Sequence, residues 1–365
     1  MRNIIKMNSK LILLGLMLTS SLIAQKPYRY GTTAASFLEI GIGPAVAMGE
    51  AYVSVGNNIS SIYWNPAGLA FQEHSELIVM DQAWVAGIAN RYAAVAITVP
   101  RVGNIGLSMN HVDFGSIEVT NLQYQDGTKE FYRASESAMA LTYARSIVNW
   151  FSFGVSTKYI SSSIWHSGAS ALALDLGVSI VTDFLSPTGN KEEGMRIGMS
   201  ISNYGSKMSY SGIDMLNAID ILPDEAGNYS AVQGEFRTES WDLPVIFRAG
   251  VSFYPLYTHT HNLLLAMDVL HPNNNSESIN MGLQYDMGFI RGTHLFLRTG
   301  IRGLYLVNAP EELNLFGSSL PYSAFTWGGG IEYKLFGRQS IALDYAYRSM
   351  GLLGYANSFT LTYQF

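Results

Sequence analysis

The 365-residue chain contains no cysteine, which excludes disulfides and thiolate metal sites and fits an envelope protein. Charge is also scarce. Asp, Glu, Lys and Arg make up 14% of residues, against roughly 25% in an ordinary soluble domain. This scarcity is not disorder, because 48% hydrophobic residues supply ample surface for burial. No run of about 18 apolar residues occurs, so helical membrane spans are excluded. What the chain has instead is glycine (35), tyrosine (22) and phenylalanine (17).

Arg2, Lys6 and Lys10 precede the apolar stretch "LILLGLMLTSSLIA" at 11–24. A basic lead before a short apolar run reads as a secretory signal, expected to be cleaved after Ala24. Its removal takes the net charge from −6 to −9, which argues against a nucleic-acid partner.

From residue 74 onward, bulky and small residues alternate. "ALALDLGVSI" (171–180) sets Leu172, Leu174, Leu176, Val178 and Ile180 against Ala173, Asp175, Gly177 and Ser179. The same rhythm recurs about fourteen times, from 74–83 to 356–365, in stretches near the length of a tilted bilayer-crossing strand. Charges decide between a soluble sandwich and a membrane barrel. Lys158, Asp175, Arg248, Asp268, Asp286, Arg298, Arg302, Glu332, Asp344 and Arg348 all fall in register with the small face. A wide apolar face edged with Tyr and Trp suits lipid, and a small face of mixed charge suits a crowded lumen. Backbone groups in lipid have no water, so the sheet must close. The expectation is an all-β transmembrane outer-membrane β-barrel of about 14 antiparallel strands.

The connections agree. The three longest, 114–131, 204–242 and 304–322, leave from one end, and most turns at the other end are short. An even strand count returns the closing strand "FTLTYQF" (359–365) to the first, so no edge is left. In the longest loop, "GIDMLNAIDILP" (212–223) places Met215, Leu216, Ile219 and Leu222 at helical spacing. The expectation there is a short helix whose apolar stripe packs on the barrel mouth or receives a partner.

Residues 31–73 do not alternate; small residues and turn formers dominate. Pro66 pushes Asn65 to an extended conformation, from which Asn65 would cap a helical turn begun by Pro-Ala-Gly-Leu. So compact a composition does not suit a linker, and the lumen is the sensible place for it. The domains are then a signal peptide at 1–24, a plug at 25–73 and a barrel at 74–365.

This stretch resembles the N-terminal signature of the PorV/PorQ family, itself similar to the FadL-type fatty-acid transporters. The resemblance rests on "GTTAASFLEIG", on "AMGEAYVSV" and on Asn65, Pro66 and Ala67, which match the Asn-Pro-Ala motif of a lumenal hatch. "STKYI" (Lys158), "ALDLG" (Asp175), "SISNYG" (Asn203), "LPVIFRAGVSF" (Arg248) and "AMDV" (Asp268) extend it along the barrel. Three places depart from the family pattern: Pro44 replaces an Arg, Glu50 a Gly, and Asn57-Asn58 an acidic pair. These departures imply a plug held less firmly by lumenal charges. The PorV/PorQ likeness implies an accessory role in protein export of the type IX kind, with secreted cargo or secretion-system components as partners. The FadL likeness implies a channel for hydrophobic small molecules. Both imply a FadL-like, monomeric barrel in outer-membrane lipid.

Enzyme chemistry finds no footing. The glycines of "GIGPAVAMG" lack a βαβ unit, so they read as plug backbone. His259 and His261 form a polar turn with no third metal ligand nearby. The lumen acids are expected to pair with Arg248, Arg298 and Arg348, with Arg248 facing Asp268. No cofactor or metal is expected.

Overall fold

The computed structural model describes residues 33–225, 227, 231–289, 292–305, 325–335 and 337–365. The signal segment and most of the connection at 304–322 lie outside them. Fourteen long strands run in sequence: β1 (Glu76–Ala83), β2 (Ala89–Val99), β3 (Gly103–Glu118), β4 (Phe131–Val148), β5 (Phe151–Ile164), β6 (Ser167–Val181) and β7 (Arg196–Gly205), then β8 (Ile246–Tyr257), β9 (His261–Pro272), β10 (Ser278–Gly288), β11 (Thr293–Tyr305), β12 (Phe325–Lys334), β13 (Ser340–Ser349) and β14 (Tyr355–Gln364). Each pairs antiparallel with its neighbours, and β14 pairs with β1, so the sheet is a closed barrel. Glu76 stands opposite Gln364, and the Phe365 N–H donates to the Ser75 carbonyl at 2.9 Å. The terminal rhythm exists because the last strand has a partner on each side.

Alternation sorts the two faces. On β6, Leu172, Leu174 and Leu176 are exposed outward, whereas Ala173 and Asp175 are buried inward. Aromatics stack on the outer face across β12, β13 and β14, through Trp327, Tyr347 and Tyr355. Such a wall is what lipid selects.

The longest loop differs from the sequence expectation. Instead of a helix over 212–223, a single 3-10 turn at Ile213–Met215 leads into a strand, Leu216–Ile219, paired with Val232–Glu235. An isolated helix this short is not self-sustaining. The Asp220 side chain accepts the Leu222 N–H at 3.1 Å and turns the chain, and Pro223 follows. Leu216, Ile219 and Leu222 are exposed and Met215 is half-buried.

Residues 33–73 lie inside the ring. Short helical turns at Ser36–Glu39, Gly43–Met48, Ser61–Trp64 and Pro66–Phe71 form the segment. Ile42, Met48, Ile59, Ile62, Trp64 and Leu69 pack with wall residues Ile78, Met80, Tyr92 and Ala144. The wall admits this segment because its inward positions are small. A Cβ at Gly282 would run into the Met48 carbonyl, and one at Gly300 into the Gly49 nitrogen.

Candidate functional site

An irregular segment leaves backbone groups without ladder partners, and buried ones must find them elsewhere. Here the wall supplies them. Asp268 on β9 accepts the N–H groups of Tyr52 at 2.7 Å and Val53 at 2.9 Å. Thr326 on β12 accepts the Gly49 N–H at 2.8 Å and donates to the Ala47 carbonyl at 3.1 Å. Glu76 accepts the Ile59 N–H at 2.9 Å, and Asn104 donates to the carbonyls of Leu69 and Gln72. Ser152 and Ser200 each donate at 3.0 Å, to the Ala67 and Trp64 carbonyls respectively. The pins come from strands spread around the ring.

Asn65, Pro66 and Ala67 sit at the point where the segment turns back. Asn65 is extended (φ −159°), its Oδ1 accepts the Ala67 N–H at 3.1 Å, and Pro66 opens the 3-10 turn. Its Nδ2 donates to Val53 within the segment at 2.8 Å and to Val178 on β6 at 3.0 Å. One side chain thus caps a turn, closes a loop and fastens both to the wall.

The lumen charges form separate groups. Lys158 pairs with Asp175 at 2.6 Å and donates to Asn203 Oδ1 at 2.9 Å, while Asp175 accepts the Asn203 N–H at 2.8 Å. Asn203 is left-handed (φ 65°), so this triad fixes the bulge where β7 departs for the long loop. Arg298 on β11 pairs with Asp344 on β13 at 2.5 Å and donates to Gln284 at 2.6 Å. Glu332 is half-buried apart from both, and among the described residues no ion pair includes it. Arg248 does not pair with Asp268, contrary to the sequence expectation. Asp268 spends Oδ2 on Tyr52 and Val53, while Arg248 donates to Ser202 at 3.0 Å and stacks over Trp64 at 5.6 Å. Asp268 Oδ1 stays unpartnered, so it is the pull of Ser202 and Trp64 on the guanidinium that turns Arg248 away.

The group that sequence reasoning missed centres on Glu50. It pairs with Arg302 at 2.5 Å and with Arg348 at 3.0 Å, and Arg348 stacks over Trp84 at 4.8 Å. Burial works to raise the Glu50 carboxyl, but the two guanidinium groups prevail and hold it below the usual carboxylate range. Glu50 adopts φ 62°, a left-handed conformation that a glycine would take without strain. The two ion pairs offset that cost, so the departure from Gly places a charge of the segment on the wall. Nearby, burial raises the Glu39 carboxyl, against the Asn274 hydrogen bond and Arg302. An acid inside an apolar run of small residues was the available signal.

Above the segment, toward the long-loop end, a cavity of 340 Å³ is lined by Phe37, Trp84, Ile88, Val112 and Phe114, with Glu39 and Arg302 at its edge. A larger apolar hollow of 830 Å³ lies on the outer wall, lined by Phe253, Leu265, Met267 and Met281. No cluster of His, Asp or Glu among the described residues could hold a metal.

The family model described as type IX secretion system protein PorV matches residues 23–223, more than half of the chain. No curated protein sequence matches it. Among solved structures, the toluene transporter TodX of Pseudomonas putida is 11% identical with a TM-score of 0.51, covering 89% of this chain and 96% of that one. The CymD monoaromatic hydrocarbon channel is 11% identical with a TM-score of 0.51, covering 92% and 98%. A FadL homologue of Pseudomonas aeruginosa is 11% identical with a TM-score of 0.45, covering 93% and 99%. At these identities the likeness to TodX and CymD shows a shared barrel fold and nothing finer.

Proposed function

Because this chain belongs to the family of the type IX secretion system protein PorV, we propose that it is an accessory component of protein export, receiving or presenting secreted proteins at the cell surface. It is an outer-membrane β-barrel of the FadL-like kind. In this reading it acts as a single barrel whose residues 25–73 plug the lumen after a signal peptide at 1–24 is removed. The observation that carries the reading is the family match, which runs through the inner segment and the first seven strands.

The receiving surface is the loop between β7 and β8. Its hairpin displays Leu216 and Ile219, with Leu222 following, as exposed apolar groups outside the hydrogen-bonded wall. A two-stranded hairpin is marginal by itself and gains from a covering partner.

A second reading, a channel for hydrophobic small molecules, is favoured by the 340 Å³ cavity walled by Phe37, Trp84 and Phe114. Cross-linking in intact membranes followed by mass spectrometry separates the two. Export predicts secreted proteins or secretion components on the cross-linker. Recovery of no protein, together with uptake of a hydrophobic tracer that Phe114→Glu abolishes, would establish the channel instead. Leu216→Ser with Ile219→Ser is expected to lower secretion while barrel levels stay constant. Full secretion by that double variant removes the loop from the proposal.

A further inference from the structure

A second lumenal cavity, of 100 Å³, lies between the inner segment and the wall. Glu39, Glu50 and Trp64 bound it on the segment side, and Arg248, Asn280 and Arg302 on the wall side. Two donors that line it have no acceptor. Asn280 is 1% exposed, and its Oδ1 accepts the Gly303 N–H at 2.8 Å. That bond fixes the orientation of the amide and leaves Nδ2 unpartnered. Arg248 is 4% exposed; Ser202 takes its Nη1 and Trp64 its face, while Nε is unpartnered. Native interiors rarely leave such donors unmet.

The acids of the lining are already engaged: Glu50 accepts from Arg302 and Arg348, and Glu39 accepts from Asn274 at 3.2 Å. Arg248 Nε and Asn280 Nδ2 therefore face a polar void that neither carboxylate of the lining fills.

We propose that this cavity binds one small monovalent anion, a halide or a small carboxylate, which accepts from Arg248 Nε and Asn280 Nδ2. The volume admits such an ion with at most a water or two beside it. Glu39 and Glu50 on the same lining repel a dianion, so phosphate and sulfate are poor ligands. The cavity's two donors stand on β8 and β10, so the bound ion ties these wall strands together across β9, beneath the segment. The site does not depend on which cargo or ligand the barrel serves.

The test uses the mature barrel purified in detergent with gluconate as the only anion, which is too large for the cavity. Crystals soaked in bromide should give an anomalous peak within hydrogen-bond distance of Arg248 Nε and Asn280 Nδ2. Only a water there, or no peak at that place, overturns the proposal. In solution, chloride replacing gluconate at constant ionic strength should raise the unfolding midpoint. Arg248→Gln and Asn280→Leu should abolish the chloride response. Asn280→Asp, which keeps an acceptor for Gly303 and carries its own charge, should hold the midpoint high without chloride. A wild-type midpoint indifferent to chloride, or an Asn280→Leu variant that responds as wild type does, refutes the site. The Asn280 variants keep the test decisive if Arg248→Gln fails to fold.

Discussion

The barrel wall and the segment inside it are held by opposite means. In the wall, each strand repeats the same backbone ladder, and side chains need only be large outside and small inside. In the segment at 33–73 nothing repeats; its backbone is held by individual side chains, Asp268, Thr326, Asn104 and Glu76, and its Glu50 carboxylate by Arg302 and Arg348. A repeated ladder spreads its stability over many equivalent bonds, so most single substitutions are absorbed. A set of unique pins concentrates it, so a single change has a local and specific cost.

The sharpest way to break the wall is to remove its seam. Deleting 359–365 leaves most of β1 unpaired and the edge open, and is expected to abolish the heat-modifiable barrel on gels. A normal barrel after this deletion would show that closure does not depend on β14.

Next in size is the segment's charged clasp. Glu50→Ala leaves Arg302 and Arg348 without their carboxylate, and breaking a buried pair typically costs about 3–5 kcal/mol. Nothing offsets that loss, because Ala keeps the left-handed strain at φ 62° without the ion pairs that compensated it. The pH response has a definite sign. Glu50 is held below its unfolded value of 4.5, so its contribution is complete above that pH and is lost as pH falls through the folded value. Acid unfolding followed by tryptophan fluorescence should therefore begin later in Glu50→Ala than in the wild type, measured from each protein's own neutral-pH midpoint.

Gly300→Val sharpens the comparison from the wall side. Its Cβ would enter the space of the Gly49 nitrogen, and overpacking of this kind costs about 1–3 kcal/mol. The closest clashes are with the segment and only a lesser one is with the Met281 carbonyl of the wall, so the barrel should still form while protease gains access near 47–53. Equal protection of that stretch in variant and wild type would mean that the close approach is not limiting.

The smallest effect is expected at Glu39. Its folded value is raised, so ionisation costs stability as pH rises past 4.5 and through that value. Glu39→Gln keeps an acceptor for Asn274 and removes the charge. It should raise the unfolding midpoint slightly at pH 8 and leave it unchanged at pH 4. A lower midpoint at pH 8 would show that the Arg302 attraction outweighs burial.

The strands of the wall were legible in the sequence to within a few residues, from the two-residue period and the charges in register with small residues. That legibility has a physical origin, since lipid outside and a crowded lumen inside act on every strand alike. The loop at 212–223 misled because a short apolar run satisfies helical and strand spacing equally, and Asp220 with Pro223 decided between them. Asn65 could be placed at a cap because the Asn-Pro pair acts locally. The pairing of lumen charges could not be read, because it depends on register and on what fills the ring. Arg298 reaches Asp344 two strands away only because Gly330 on the strand between presents no side chain. Arg248 misses Asp268, which stands opposite Gly250, because its guanidinium is held by Ser202 and lies over Trp64 of the segment. By itself the sequence determined a closed wall with one face for lipid and one for charge. Only the tertiary structure decided which charges meet, because those contacts join residues that no local periodicity relates.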